Sequence, residues 1–172
     1  MPILHAKLSA SSSARWLNCP ASVKAIERLG APDIIRPSSF AEEGTAAHQV
    51  AEKALKEDKD ARDYIGIVMS DAPNIAITRD MCNHVQEYCD YVRAHLTKGS
   101  QLLVEERLRF TAWVKDGFGT SDAVIIHDNG HCEIFDLKFG MGVRVDAENN
   151  TQGMLYALGA HQEYDFIHDI KR

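Results

Sequence analysis

Residues 119–140 read GTSDAVIIHDNGHCEIFDLKFG, and they set Asp122, Asp136 and Lys138 on stretches otherwise rich in apolar, β-prone residues. Acidic groups on such strands are costly unless they are paired or hold a cation. Clustered carboxylate oxygens suit Mg²⁺ or Mn²⁺, to which the backbone carbonyl of Leu137 could add a further ligand. Lys138 beside them could stabilise hydroxide or the charge developing on a phosphate under attack. The chemistry implied is metal-assisted phosphodiester hydrolysis. An acid, any residue and then lysine occurs three times, ending at Lys59, Lys138 and Lys171, so the triplet alone carries no weight. Only the middle one lies in an apolar run with a second Asp placed across a turn. The competing reading is an ordinary Asp–Lys pair on a half-exposed strand.

The elements that must position these groups are two strands joined by a tight turn. Val124, Ile125 and Ile126 form one β-rich run and Ile134, Phe135 and Leu137 the other, with Asp128-Asn129-Gly130 between them. Alternation puts Asp136 and Lys138 on one face and Leu137 on the other. With a three-residue loop and Gly130 left-handed, His127 faces His131 and Asp122 faces Asp136. A two-residue loop would pair Asp122 with Leu137 and send it to the wrong face. His127, His131 and Cys132 cluster at the turn, where a zinc site is conceivable but lacks a fourth ligand.

Further candidates sit on helices. A helix starting at Ser39, with Glu42 at capping-box spacing, carries His48, with Gly44 one turn before it and Glu52 one turn after. Gly44 could admit another chain segment or a ligand, and Glu52 could orient the imidazole. A lone helical histidine is otherwise a partly exposed surface residue. A helix from a Thr78 cap to about Thr97 buries Met81, Val85, Tyr88, Val92 and Leu96 and reads as scaffold. A last helix from Asn150 or Thr151 puts Gln152 and Tyr156 on one face, where they could bind a phosphate or a base, or simply bury the Tyr against a polar neighbour.

The rest of the chain is framework. Serines in residues 8–20 cap a short helix that docks Trp16 and Leu17, and residues 21–30 form a second helix ended by Gly30, followed by a loop over 31–37. Residues 59–77 are turn-rich and yield no element. Residues 102–114 form a strand returned by Lys115-Asp116-Gly117, which makes three antiparallel strands in sequence order. Glu105 or Glu106 could add a carboxylate to the site, or serve as edge charges that keep the strand soluble. Residues 140–150 form a glycine-containing polar loop.

Length and composition bound the class. A chain of 172 residues, 45% apolar, can bury the core of a single domain spanning 1–172. No apolar run would span a bilayer and residues 1–5 lack signal-peptide character, so the expectation is a cytoplasmic protein without a membrane partner. Four cysteines without a Cys-x-x-Cys pair point to reduced thiols. A net charge of −6 argues against a simple sequence-independent nucleic-acid binder. Residues 1–40 nevertheless carry five Lys/Arg against two Asp/Glu, as suits an acidic centre that needs a cation and a basic segment that meets DNA. An acidic protein-binding domain would show the same distribution.

The motifs GTAAH (44–48), GTSDAVI (119–125), EIFDLKFG (133–140) and QGMLY (152–156), taken in that order, resemble the PD-(D/E)XK nuclease superfamily in its RecB-like exonuclease branch. More closely, the chain resembles a phage-associated family of unknown function whose members begin with a similar Ser-rich, Arg-Trp and Cys-Pro segment. The resemblance implies a restriction-endonuclease-like α/β core of three antiparallel strands, a helix and a further parallel strand, surrounded by helices. It implies that His48, Asp122, Asp136 and the Leu137 carbonyl bind Mg²⁺ or Mn²⁺, that Lys138 is catalytic with the two Asp, and that Gln152 and Tyr156 lie against the nucleic acid. The activity implied is a DNA nuclease, as an exonuclease in phage replication or recombination, in a bacterial or phage-encoded protein. DNA is the expected partner, with a phage recombination or single-strand-binding protein as a further one; oligomeric state stays open. The alternative is a non-catalytic DNA- or protein-binding module on the same fold. Cys19 matches the first cluster ligand of some relatives, but no cysteine follows Cys132, so no iron–sulfur cluster is expected. The final strand is either a shortened one over residues 165–170 or lost to C-terminal truncation.

Overall fold

The computed structural model describes residues 6–29, 39–140 and 145–171. The protein is a mixed α/β chain whose described residues form helices and two small antiparallel sheets. It divides into two compact units: Met1–Arg36 with Gly99–Phe135 and Val145–Arg172, and Pro37–Lys98 with Asp136–Arg144. Gly30, the 31–37 loop, residues 1–5, the Ser39 side chain of the expected capping box and residues 141–144 of the polar loop lie outside the described residues.

The first unit opens with a 3₁₀ turn, Ala10–Ser12, and two short helices, α1 (Ser13–Asn18) and α2 (Ala21–Leu29). Trp16 is buried and its indole N–H donates to the Ser9 carbonyl at 2.9 Å. Leu17, expected in the core beside it, is half exposed, because one helical step from Trp16 turns it to the opposite side. Neither Ser9 nor Ser12 makes a side-chain cap bond; Ser9 and Ser12 pair with each other instead.

Three strands follow in sheet order β3 (Gln101–Arg109), β4 (Phe118–Ile126) and β5 (Cys132–Phe135), each antiparallel to the next. The central strand is buried from Ala123 to Ile126, as the unbroken apolar run requires. The β4–β5 register pairs Ile126 with Cys132 and Ala123 with Phe135. The His127 N–H donates to the His131 carbonyl and the Gly130 N–H to His127, with Gly130 at φ +82°. The loop is thus the three-residue kind, closed by a glycine that must be left-handed. β5 stops at Phe135, so Asp136, Leu137 and Lys138 follow the strand rather than lie on it.

Helix α5 (Thr151–His168) packs across this sheet. Asn150 caps it, its side chain accepting the Gly153 N–H at 3.0 Å. Leu155, Tyr156 and Ala160 share a core with Leu108, Phe110, Val124 and Ile126. The approach is close: a Cβ on Gly159 would lie 2.8 Å from the Leu108 Cβ. Arg109 on β3 grips Glu163 with two hydrogen bonds, at 2.5 and 2.9 Å, which holds the Glu163 carboxyl below its usual pKa. Because α5 runs to His168, residues 165–170 are not the shortened parallel strand expected there; the sequence stays helical until Asp169 turns left-handed at φ +46°. What remains is one parallel bridge between Lys171 and His131, with the Lys171 N–H donating to the Gly130 carbonyl at 2.8 Å.

The second unit pairs α3 (Ser39–Lys56) with α4 (Arg79–Ala94). Ala46, Ala47, Val50, Ala51 and Ala54 form the buried stripe of α3. Thr78 caps α4 as expected, accepting the Met81 N–H at 3.2 Å. Its buried face runs through Met81, Cys82, Val85, Gln86, Cys89 and Val92, while Leu96 lies past the helix end and is exposed. Residues 59–77, which showed no periodicity, hold a 3₁₀ turn (Ala61–Tyr64) and a hairpin of β1 (Val68–Met69) and β2 (Ala72–Ala76). Tertiary hydrogen bonds stabilise this stretch. Buried Gln86 accepts the Ala61 N–H, and Arg93 donates to the Ala54 and Lys59 carbonyls, satisfying the end of α3.

Candidate active site

In the first unit, Asp122 is half-buried near the middle of β4. The flanking pairs Val104↔Ala123 and Glu106↔Ser121 place Glu105 of β3 directly opposite it. The two carboxylates lie within 4.8 Å of one another. Glu105 adopts φ +54°, a left-handed backbone rare for a non-glycine residue in a strand interior. Like charges facing each other on a half-buried ladder, with local backbone strain, oppose stability, and two carboxylates so placed could share a cation. Sequence reasoning held Glu105 only as one of two adjacent acids. Glu106 accepts a hydrogen bond from the Tyr164 hydroxyl at 2.6 Å that, after desolvation, helps raise the phenol's pKa.

Gln152 and Tyr156 of α5 bind each other: the Gln152 amide donates to the Tyr156 hydroxyl at 3.2 Å. Tyr156 is only 3% exposed and its ring rests on the backbone of Gly119, where a Cβ would come within 2.8 Å. The first glycine of the 119–125 motif is therefore a packing requirement of the tyrosine. A cavity of about 170 Å³ beside them is lined by Ser9, Ser11, Phe118, Gly119, Thr120 and Tyr156.

In the second unit, Asp136 and Lys138 form an ion pair at 2.5 Å while Leu137 between them is buried, the alternation expected of an extended segment. Lys138 remains about half exposed. His48 is half-buried on α3. Glu52, expected to orient it, pairs instead with Lys56 at 2.8 Å, at the i, i+4 spacing that favours such pairs on a helix. Gly44 does receive another chain segment, but loosely: a Cβ there would sit 3.8 Å from the Phe139 carbonyl oxygen, an ordinary contact. A cleft of about 450 Å³ in this unit is lined by Glu43, Asp80, His84, Leu137, Lys138, Phe139 and Gly140. Of these, Asp80 and His84 stand at i, i+4 spacing on α4, a signal visible in the sequence but overlooked in a helix taken for scaffold.

The turn histidines are structural. His127 is nearly buried, with Nδ1 3.2 Å from Ser100 Oγ and Nε2 2.7 Å from Glu133 Oε1, and its ring stacks on His131. Burial pushes the Cys132 thiol up to about 11. Both His127 ring nitrogens already have protein partners, which does not favour a zinc site at the turn.

Fold and site together define a mixed α/β protein with a strained carboxylate pair across one strand ladder and a paired Asp–Lys on the following segment. Residues 5–172 match the family described as "Protein of unknown function (DUF2800)", and the chain belongs to that family. No solved structure matches it. Among the described residues, no helix is long and apolar enough to cross a membrane.

Proposed function

We propose that the protein is a metal-dependent DNA nuclease of the PD-(D/E)XK type, acting as an exonuclease in phage replication or recombination on a restriction-endonuclease-like core. The observation that carries this reading is the opposition of Glu105 and Asp122 across β3 and β4, with Glu105 strained. Their oxygens are hard donors that fit Mg²⁺ or Mn²⁺ and do not suit a soft metal. Asp122 and Glu105 would hold the ion; Asp136, the Leu137 carbonyl and His48 are ligands implied by the family resemblance. The cation, when bound, supplies Lewis-acid stabilisation of negative charge on the scissile phosphate. The Lys138 ammonium beside Asp136 offsets charge on the attacking or departing oxygen. Asp136 holds the ammonium in place until substrate arrives. Tyr156 supports β4 by packing against Gly119, and its hydroxyl accepts from Gln152, the pair that the resemblance places against DNA.

The second reading, a DNA- or partner-binding module without catalysis, draws on one observation: Tyr156 is buried and takes the Gln152 amide for itself. End-labelled linear DNA and closed circular DNA, incubated with Mn²⁺, separate the two. The nuclease reading expects linear DNA alone to be degraded, and expects Lys138→Ala to lower the rate at least a hundredfold with Mn²⁺ binding retained (roughly 10²–10⁴ is typical of removing an acid–base or charge-stabilising group). A folded, Mn²⁺-binding parent that cleaves neither substrate would establish the module instead.

A further inference from the structure

We propose that the cleft lined by Glu43, His84, Lys138 and Phe139 is a nucleobase subsite that favours bases carrying an exocyclic amino group; the inference rests on the nuclease reading for the nature of the strand. Its volume, about 450 Å³, lies in the range of small-ligand sites, and every residue lining it belongs to the second unit. Phe139 meets the His84 ring edge-on, with centroids 6.2 Å apart and planes at 73°, so the cleft carries two aromatic faces. Such faces stack any base.

The charges decide what else the cleft can take. Glu43 and Asp80 bring two carboxylates, and the one lysine present is already closed on Asp136 at 2.5 Å. A phosphate would be repelled by that balance, whereas a neutral, flat ring would not. His84 sharpens the preference. Its Nδ1 lies 2.9 Å from the Asp80 backbone carbonyl, which can only accept, so in the neutral ring Nδ1 carries the proton and Nε2 is an acceptor. Two carboxylates and an imidazole nitrogen are all acceptors, and the matching donors are the amino groups of adenine, cytosine and guanine. Thymine has no amino group. Lys138, which lines the cleft, is also the residue that the nuclease reading sets against the phosphate.

The test has two arms. Calorimetry of dAMP, dCMP and dTMP with the metal-free protein should show dAMP and dCMP binding about tenfold more tightly than dTMP. Glu43→Gln, His84→Ala and Phe139→Ala should each remove most of that difference, about the effect of deleting one stacking or pairing partner. His84 is exposed and Glu43→Gln is isosteric, so these two variants keep the fold whatever Phe139→Ala does. In the second arm, short homopolymers of deoxyadenylate, deoxycytidylate and thymidylate are offered with Mn²⁺. A parent that cleaves all three at one rate and binds the three nucleotides alike overturns the subsite and leaves the nuclease standing. A parent that binds dAMP and dCMP selectively through these residues but cleaves nothing overturns the nuclease and leaves the subsite. Selectivity unchanged in Glu43→Gln and His84→Ala overturns the subsite in either case.

Discussion

If a cation holds Glu105 and Asp122 together, then Glu105→Gln should stabilise the protein without metal and weaken its response to metal. The two carboxylates lie within 4.8 Å. Their repulsion at that separation is roughly 1 kcal/mol in a water-like dielectric and about 3 kcal/mol at an effective dielectric of 20. Both groups are half-buried, so the cost falls between these limits. Removing one charge relieves it, and for a chain of this size about 1–3 kcal/mol corresponds to a melting temperature higher by roughly 2–12 °C in EDTA. Parent protein at a Mn²⁺ concentration near a thousand times its Kd gains about 4.1 kcal/mol by mass action. Glu105→Gln should lose most of that gain, so the stability order of the two proteins reverses between EDTA and Mn²⁺. Thermal or urea unfolding of both proteins in both conditions is the assay. A variant less stable than the parent in EDTA, or one stabilised by Mn²⁺ to the same extent, refutes the shared-cation explanation, and the pair would then have to be stabilised by protein contacts alone.

Two glycines should respond in opposite directions. Gly44→Ala, on α3 with 3.8 Å of clearance, should stabilise by up to about 1 kcal/mol through helix propensity, whereas Gly119→Ala, which would press a methyl to 2.8 Å from the Tyr156 ring, should cost about 1–3 kcal/mol by overpacking; urea midpoints of the two variants check both signs. Burial raises the Cys89 and Cys132 thiols from the ordinary 9.0 to about 11. The unfolded chain therefore loses these protons first: their contribution is fully present below pH 9, and stability falls as pH rises from 9 through 11, which a urea titration across that window measures against a Cys89→Ala, Cys132→Ala control. At pH 8 iodoacetamide should modify exposed Cys19 well before Cys82 and Cys89, which are fully buried, and mass spectrometry of the timed reaction shows the order.

Much of the local structure was legible in the chain itself. The three-residue turn at Asp128-Asn129-Gly130 follows from a glycine able to take positive φ, and once its length is set, the β4–β5 register follows, since pairing has period two. The caps at Thr78 and Asn150 are equally local, each a side chain reaching an N–H three residues on. The alternation of Asp136, Leu137 and Lys138 was also legible, and the ion pair with buried Leu137 between realises it. Tertiary structure decided the rest. Which of Glu105 and Glu106 opposes Asp122 depends on the β3–β4 register, set by a connection too irregular to count through, and the strain at Glu105 has no sequence signature. The stretch 59–64, with its 3₁₀ turn, is tied to Gln86 and Arg93 of α4 and the hairpin at 68–76 to Gln49 and Glu42 of α3, so no local pattern announced them. Tyr156 and Gln152 share a helix face on spacing alone, but only the approach of α5 to Gly119 buries the Tyr156 ring. Residues 165–168 carry both helical and strand-like side chains, and the continuation of α5 over the sheet selects the helix. Short-range chemistry, caps and turns, is written in neighbouring residues; opposition across strands and burial of a helix face are properties of contacts between segments far apart in the chain, and only the folded protein contains them.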